Sequence, residues 1–160
     1  MSVVISLFAV AFLTAADQLI KLFVERELQS VGSASFIDGF IGWSYVRNTG
    51  AAFGSFSQST ALLSVVTGVM ILAILVLIVM KRIKSKFCLT CAVLIASGGL
   101  GNLIDRIAKG YVVDFIDVQF MDFAVFNLAD IFVTCGSIAL MLYVIADMLR
   151  DRKKKGENNE

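Results

Sequence analysis

Four apolar segments, each close to the length of a bilayer crossing, dominate the chain: about Val3 to Val24, Ala61 to Met80, Phe87 to Ile104 and Leu128 to Leu149. The hydrocarbon core of a bilayer takes roughly 20 residues of helix. Within it each backbone N–H and C=O must be paired inside the chain, which leaves helices as the economical form for single apolar runs. Of the 160 residues, 58% are hydrophobic and 17% charged, whereas a soluble domain is about 25% charged. The sequence therefore predicts an all-α membrane protein with four transmembrane helices. It reads as a single integral membrane domain over residues 1–160, ending in a basic tail from 150 to 160. Proline is absent, so no span carries a proline kink.

Orientation follows from the basic residues. Lys81, Arg82, Lys84 and Lys86 follow the second span, and Arg150, Arg152, Lys153, Lys154 and Lys155 follow the fourth. The opposite loops hold Arg26, Arg47, Arg106 and Lys109. Basic residues stay on the cytoplasmic side, so both termini are predicted inside, with segments 25–60 and 105–127 outside. The first span lacks a basic start and carries Asp17 and Lys21 in its outer half, so it reads as a retained span rather than a cleaved signal peptide. In the first outer loop, Phe36, Ile37, Phe40, Ile41, Trp43 and Tyr45 stand among glycines. This pattern suggests short strands lying at the headgroup level, where aromatic rings are favoured.

Whole classes of chemistry are excluded. There is no histidine, which removes Ser-His and Cys-His nucleophiles and H-E-x-x-H metal sites together. Cys88, Cys91 and Cys135 lie in apolar stretches and read as packing residues, since the C-x-x-C of Cys88 and Cys91 has no second ligand pair. Neither a metal nor a cofactor is expected. The basic run Arg152 to Lys155 fits a topology signal touching anionic headgroups, not a nucleic-acid site.

Hydrolysis must then run on carboxylates or lysine, and ionisable groups at membrane depth are costly enough to need a reason. Asp17 and Lys21 stand at i and i+4 and can pair on one helix face; an ion pair tying helices together is preferred to a catalytic role. The third span ends in Gly98-Gly99-Leu100-Gly101-Asn102-Leu103-Ile104-Asp105-Arg106. Its glycines permit close helix packing, and Asn102, Asp105 and Arg106 form a polar cluster where the span emerges. Asp114 sits between Val113 and Phe115 in an alternating segment, Gly110 to Asp117, that reads as a short extended piece. Desolvation there would raise its pKa and suit acid-base work, while Asp117 and Asp122 read as solvated loop acids. At the fourth span, Asn127 and Asp130 form a variant capping box. Capping alone explains Asp130, but Asp114 and Asp130 approach one outer surface from either end of a short loop. Two carboxylates held together share a proton near neutral pH, one serving as base and one as acid.

These motifs resemble those of lipoprotein signal peptidase, or signal peptidase II, a family of bacterial intramembrane aspartic proteases. The resemblance covers nearly the whole length: Asp17-Gln18 with Lys21; Asn48-Thr49-Gly50-Ala51-Ala52-Phe53-Gly54; Gly98-Gly99 through Asp105-Arg106; Gly110 with Val112-Val113-Asp114-Phe115; and Phe126-Asn127-Leu128-Ala129-Asp130. It implies that Asp114 and Asp130 are the catalytic pair. It further implies that Asn48, Gly50, Asn102, Arg106 and Asn127 line the substrate pocket, and that Asp17, Lys21 and Asp105 support it. The implied fold adds a small extracytoplasmic β-cradle and a short interfacial helix to the four spans. The implied substrate is a diacylglyceryl prolipoprotein, cut on the N-terminal side of its lipidated lipobox cysteine, with sensitivity to globomycin. The implied place is the bacterial cytoplasmic membrane with the site at the outer leaflet; lipid surrounds the chain, and no obligate protein partner is called for. Many relatives have a proline shortly before the last motif, where this chain has Ala124-Val125, so the resemblance leaves open the angle at which the loop enters that motif but not the dyad. Two rival classes, a proton-coupled carrier and a membrane scaffold, fit less well. A carrier places its acids near the midplane at broken helices, and a scaffold needs no polar clusters.

Overall fold

The structure, a computed structural model, describes residues 2–50 and 60–157, with side chains through residue 152. Ala51, Ala52, Phe53 and Gly54 of the first-loop motif lie outside the described residues, as do the side chains of Lys153, Lys154 and Lys155. Four helices long and apolar enough to cross a membrane are present: α1 (Val3–Leu28), α2 (Thr60–Val79), α3 (Lys86–Lys109) and α4 (Leu128–Glu157). Three strands, β1 (Ser33–Ile37), β2 (Ile41–Asn48) and β3 (Val112–Val118), form one antiparallel sheet in the order β1-β2-β3. The expected strands of the first outer loop and the extended piece around Asp114 are thus parts of the same sheet. The short interfacial helix implied by the resemblance is not among the elements of the described residues.

The helices outrun the apolar segments. α1 continues to Leu28, α3 to Lys109 and α4 to Glu157, so Asp105 and Arg106 stand on helix rather than in an emerging loop. Hydropathy ends where charge begins, but intrahelical hydrogen bonding continues wherever a cap is not yet met. α3 begins at the Ser85 cap, whose side chain accepts from Cys88 N at 3.4 Å, and stops at Gly110, left-handed at φ 79°, whose N–H reaches Arg106 O. A glycine without a Cβ adopts that conformation freely. α2 ends in the same fashion on Lys81 (φ 55°), with Arg82 N–H donating to Leu77 O at 3.0 Å.

α3 is the central helix. Of its most apolar 18 residues 56% are buried, against 11% to 22% in the other three; those expose large apolar side chains such as Phe8, Phe12, Leu62, Val65 and Leu142 to the lipid. Thr14 Oγ1 donates to Ser97 O at 3.1 Å and Gln18 Nε2 to Gly101 O at 3.0 Å, so α1 and α3 are also tied by polar contacts. All three cysteines are free; Cys91 packs in the core as expected, whereas Cys135 is exposed on α4.

The sheet sits against the end of α1 through Val113 and Phe115, which pack with Val24 and Leu28. Trp43 stacks on Phe115 with ring centroids 5.6 Å apart. Alternation along β3 then turns Asp114 to the opposite face. In β2 a bulge between Trp43 and Val46 resets the register so that Val46 pairs with Asp114 and Asn48 with Val112. Val46, Asn48, Val112 and Asp114 therefore share that second face. Asp117, read as a solvated acid, is instead a half-buried strand residue that accepts from Ser44 Oγ at 2.9 Å.

The third-span glycines are points of close approach to neighbouring helices. A Cβ on Gly98 would collide with the carbonyl oxygen of Ala129 and lie 2.9 Å from Val133 Cγ2, and one on Gly101 would collide with Asp17 Oδ2. At Gly68, by contrast, a Cβ would meet only Leu103 Cδ2 at 3.8 Å. Gly98→Val should therefore lower the melting midpoint by on the order of 5 °C, because overpacking against backbone costs about 1–3 kcal/mol. Gly68→Ala should leave the midpoint unchanged or raise it slightly. Thermal denaturation in detergent, followed by fluorescence-detected size exclusion, compares the two.

Candidate active site

The site is assembled at the start of α4. Phe126 forms an isolated bridge with Ile116: its carbonyl accepts from Ile116 N at 2.7 Å and from Phe115 N at 3.0 Å, and its N–H donates to Ile116 O at 3.1 Å. That return brings Asn127 alongside Asp114. The capping box is made as the sequence suggests, with Asp130 N–H donating to Asn127 Oδ1 at 2.9 Å and Asn127 N–H to Asp130 Oδ2 at 3.2 Å. A further free N–H of this helix end, that of Ala129, donates to Asp17 Oδ1 at 3.0 Å. The cap fixes Asp130 and still leaves its Oδ1 for other work.

Asp114 is 1% exposed. Its Oδ2 accepts from Asn48 Nδ2 at 2.8 Å and its Oδ1 from Asn127 Nδ2 at 2.6 Å. Asn102 Nδ2 donates to Asp130 Oδ1 at 2.7 Å, while Asn127 Nδ2 also donates to Asn102 Oδ1 at 3.2 Å. Asp114, Asn127, Asn102 and Asp130 thus form one hydrogen-bonded series. Burial raises the Asp114 carboxyl to about 6; hydrogen bonds from Asn48 and Asn127 and the charge of Lys21 oppose the rise, and the charge of Asp130 adds to it.

Lys21, 1% exposed, decides which way Asn102 faces. Its ammonium lies 2.9 Å from Asp17 Oδ2, 3.2 Å from Asp105 Oδ2 and 2.9 Å from Asn102 Oδ1. An ammonium only donates, so the Asn102 oxygen must face it and the Asn102 NH₂ must face Asp130. Asp105 Oδ2 also accepts from Val113 N at 3.3 Å. The expected ion pair of Asp17 with Lys21 is present, and it is one arm of a larger cluster that includes Asp105.

Both aspartates border a cavity of about 920 Å³, together with Asn48, Gly50, Asn102 and Arg106. Its remaining walls are largely apolar, among them Met70 and Ile71 of α2, Ile95 and Gly99 of α3, and Ile131 of α4. Arg106 Nη2 donates to Gly50 O at 3.2 Å, and its buried Nε has no hydrogen-bond partner among the described residues. The guanidinium lies within Coulombic reach of Asp130, Asp114 and Asp105. Asn127 is fully buried, and its amide is already committed to Asp114, Asn102 and Asp130. No group of three or more metal-binding side chains occurs among the described residues. The arrangement offers two oriented carboxylates, one of them largely desolvated, on the wall of a largely apolar cavity.

Sequence reasoning missed a second polar cluster. Glu25 of α1 accepts from Tyr45 at 3.0 Å, Tyr111 at 3.1 Å and Lys109 at 2.7 Å. Arg47, counted above only for topology, has its guanidinium 5.5 Å from the Tyr45 ring centroid and 5.0 Å from that of Tyr111. These residues come from three separate stretches of chain, and no local spacing links Glu25 to the other two.

Comparison with known proteins agrees with the geometry. The signal peptidase (SPase) II family model matches residues 9–146. The lipoprotein signal peptidase of Clostridium acetobutylicum is 39% identical over 144 residues, covering 88% of this chain and 92% of that protein. Its counterpart in Streptococcus agalactiae is 38% identical over 131 residues, covering 81% and 84%. Among solved structures, a bacterial membrane enzyme determined by the in meso method at 2.3 Å resolution superposes with a TM-score of 0.79 at 30% identity, covering 89% of this chain and 88% of that one. With its four membrane-spanning helices and these relatives, the chain is a multi-pass bacterial membrane protein that belongs to the lipoprotein signal peptidase (signal peptidase II) family of proteases.

Proposed function

We propose that this chain is an aspartic endopeptidase that removes the signal peptide of diacylglyceryl-modified prolipoproteins, cutting on the N-terminal side of the lipidated lipobox cysteine. The observation that carries this reading is the placement of Asp114 and Asp130 on the wall of one largely apolar cavity, each held by two hydrogen bonds. One carboxylate takes a proton from water as the oxygen attacks the scissile carbonyl carbon, and the other, protonated, donates to the carbonyl oxygen. Collapse of the tetrahedral intermediate breaks the C–N bond, and a carboxyl proton passes to the leaving amine.

Asn48, Asn102 and Asn127 orient the carboxylates by donating to them. Asn48, Gly50, Asn102 and Arg106 also face the cavity, where they would meet an extended substrate whose backbone polar groups need partners in an apolar setting. Asn127 would act on substrate through Asp114. Asp17, Lys21 and Asp105 support the site from behind. Basic residues after the second and fourth spans support a cytoplasmic position for both termini. The site then lies at the outer leaflet of the cytoplasmic membrane, where a lipid-anchored cysteine presents its peptide bond.

Replacing either acid by its amide keeps volume and removes the acid-base function. Asp114→Asn and Asp130→Asn should each lower turnover of a diacylglyceryl prolipoprotein in proteoliposomes by on the order of 10²–10⁴-fold, with size-exclusion profiles unchanged. Wild-type turnover in either variant would end the assignment of the pair. Mass spectrometry of the product should find the lipidated cysteine at its N-terminus.

Asp114 also carries a pH signature. Its folded carboxyl is raised to about 6, so the folded state prefers it protonated. The stability this contributes is complete below the ordinary carboxyl value and is lost as pH rises through about 6. The melting-point gain of Asp114→Asn over wild type should therefore be larger at pH 8 than at pH 4.5; an equal gain at both would contradict the raised value.

A further inference from the structure

Glu25, in the last turn of α1, collects donors from three other parts of the fold: Tyr45 on β2, Tyr111 just before β3, and Lys109 at the end of α3. Lys109 is the decisive one, because it stands between two anions. Its ammonium is 2.7 Å from Glu25 Oε2 and 3.5 Å from Asp105 Oδ1, one turn back on the same helix. That Asp105 oxygen is buried and accepts no hydrogen bond among the described residues. The other Asp105 oxygen holds Lys21 at 3.2 Å and the Val113 N–H at 3.3 Å. Lys21 in turn fixes Asn102, which donates to Asp130, and Val113 is the neighbour of Asp114.

We infer that Glu25 is a positioning residue of this site: by holding the Lys109 ammonium it leaves Asp105 to Lys21 and Val113, and so keeps Asn102, Asp130 and Asp114 in register. Without the Glu25 charge, Lys109 closes further on Asp105 Oδ1, the buried anion with which it already forms a 3.5 Å i,i+4 ion pair but no hydrogen bond. Closing that gap turns the Asp105 carboxylate toward Lys109 and away from its two partners. A displacement of about 1 Å in a catalytic constellation is enough to lower turnover severely. The inference rests on the reading of Asp114 and Asp130 as the reacting pair.

The test is a mutant cycle in proteoliposomes with a diacylglyceryl prolipoprotein as substrate. Glu25→Gln keeps side-chain volume and an acceptor for the tyrosines but frees Lys109; it should lower kcat about tenfold and leave KM within about twofold. Adding Lys109→Met removes the competing cation, so the double variant should recover kcat to within about threefold of wild type, a non-additivity that a purely structural clasp would not give. Lys109→Met alone should stay within about twofold of wild type. The inference is overturned if E25Q turns over like wild type, or if the double variant is no better than E25Q. If E25Q does not accumulate as folded protein, K109M decides: normal kcat supports the inference, and a tenfold loss, on the order of the E25Q effect, overturns it. Full turnover in D114N would sink the underlying reading of the pair, separately from anything these variants show.

Discussion

The arrangement depends on one buried ammonium. Lys21 has three N–H donors and meets three oxygen acceptors, on Asp17, Asp105 and Asn102. A cation at this depth is tolerable only when paired and hydrogen-bonded on every side, since removing it from water costs several kcal/mol or more. That requirement binds α1 to α3, and through Asp17, which accepts from the Ala129 N–H, to the start of α4. Three helices are joined at a lysine, in addition to the apolar cluster in which Val10 of α1 packs with Ala92, Val93 and Ala96 of α3. In lipid the hydrophobic effect does little to draw helices together, so close packing and polar contacts must do it. Gly98 and Gly101 allow the approach that the lysine cluster demands.

The same groups cap a helix and line up the two aspartates. Asn127 and Asp130 close a capping box that any helix start could use, yet the box leaves the Asn127 NH₂ free to reach Asp114 and Asp130 Oδ1 free to accept from Asn102. The sheet is built likewise: Val113 and Phe115 bury against α1, and pleat alternation alone turns Asp114 the other way, beside Asn48. The apolar side of β3 anchors the side that carries Asp114. Burial then raises the Asp114 carboxyl to about 6, within the range that acid-base work near neutral pH would call for.

Much of this was legible in the chain. Four apolar runs specified four spans, because a helix is the form in which such a run satisfies its own backbone in lipid. The i,i+4 spacing of Asp17 and Lys21, the Asn127–Asp130 cap and the alternation around Asp114 are local rules, and the structure keeps all three. The absence of histidine leaves carboxylates and lysine as the groups on which hydrolysis can run. Asp117 departed from its local reading because strand pairing with β2 brought Ser44 to it.

Tertiary structure alone decided the rest. Asn48, Asn102 and Asn127 are far apart in sequence, and nothing local says that their amides face the two aspartates rather than a substrate. Their orientation is set by partners on other elements, above all by a lysine that can only donate. The cluster around Glu25 was invisible for the same reason, since Tyr45, Lys109 and Tyr111 reach it only after β2 and the end of α3 have docked on α1. Periodicity and capping act within a few residues and can be read from the chain, whereas a buried charge takes its partners from whatever elements the fold brings within hydrogen-bonding distance.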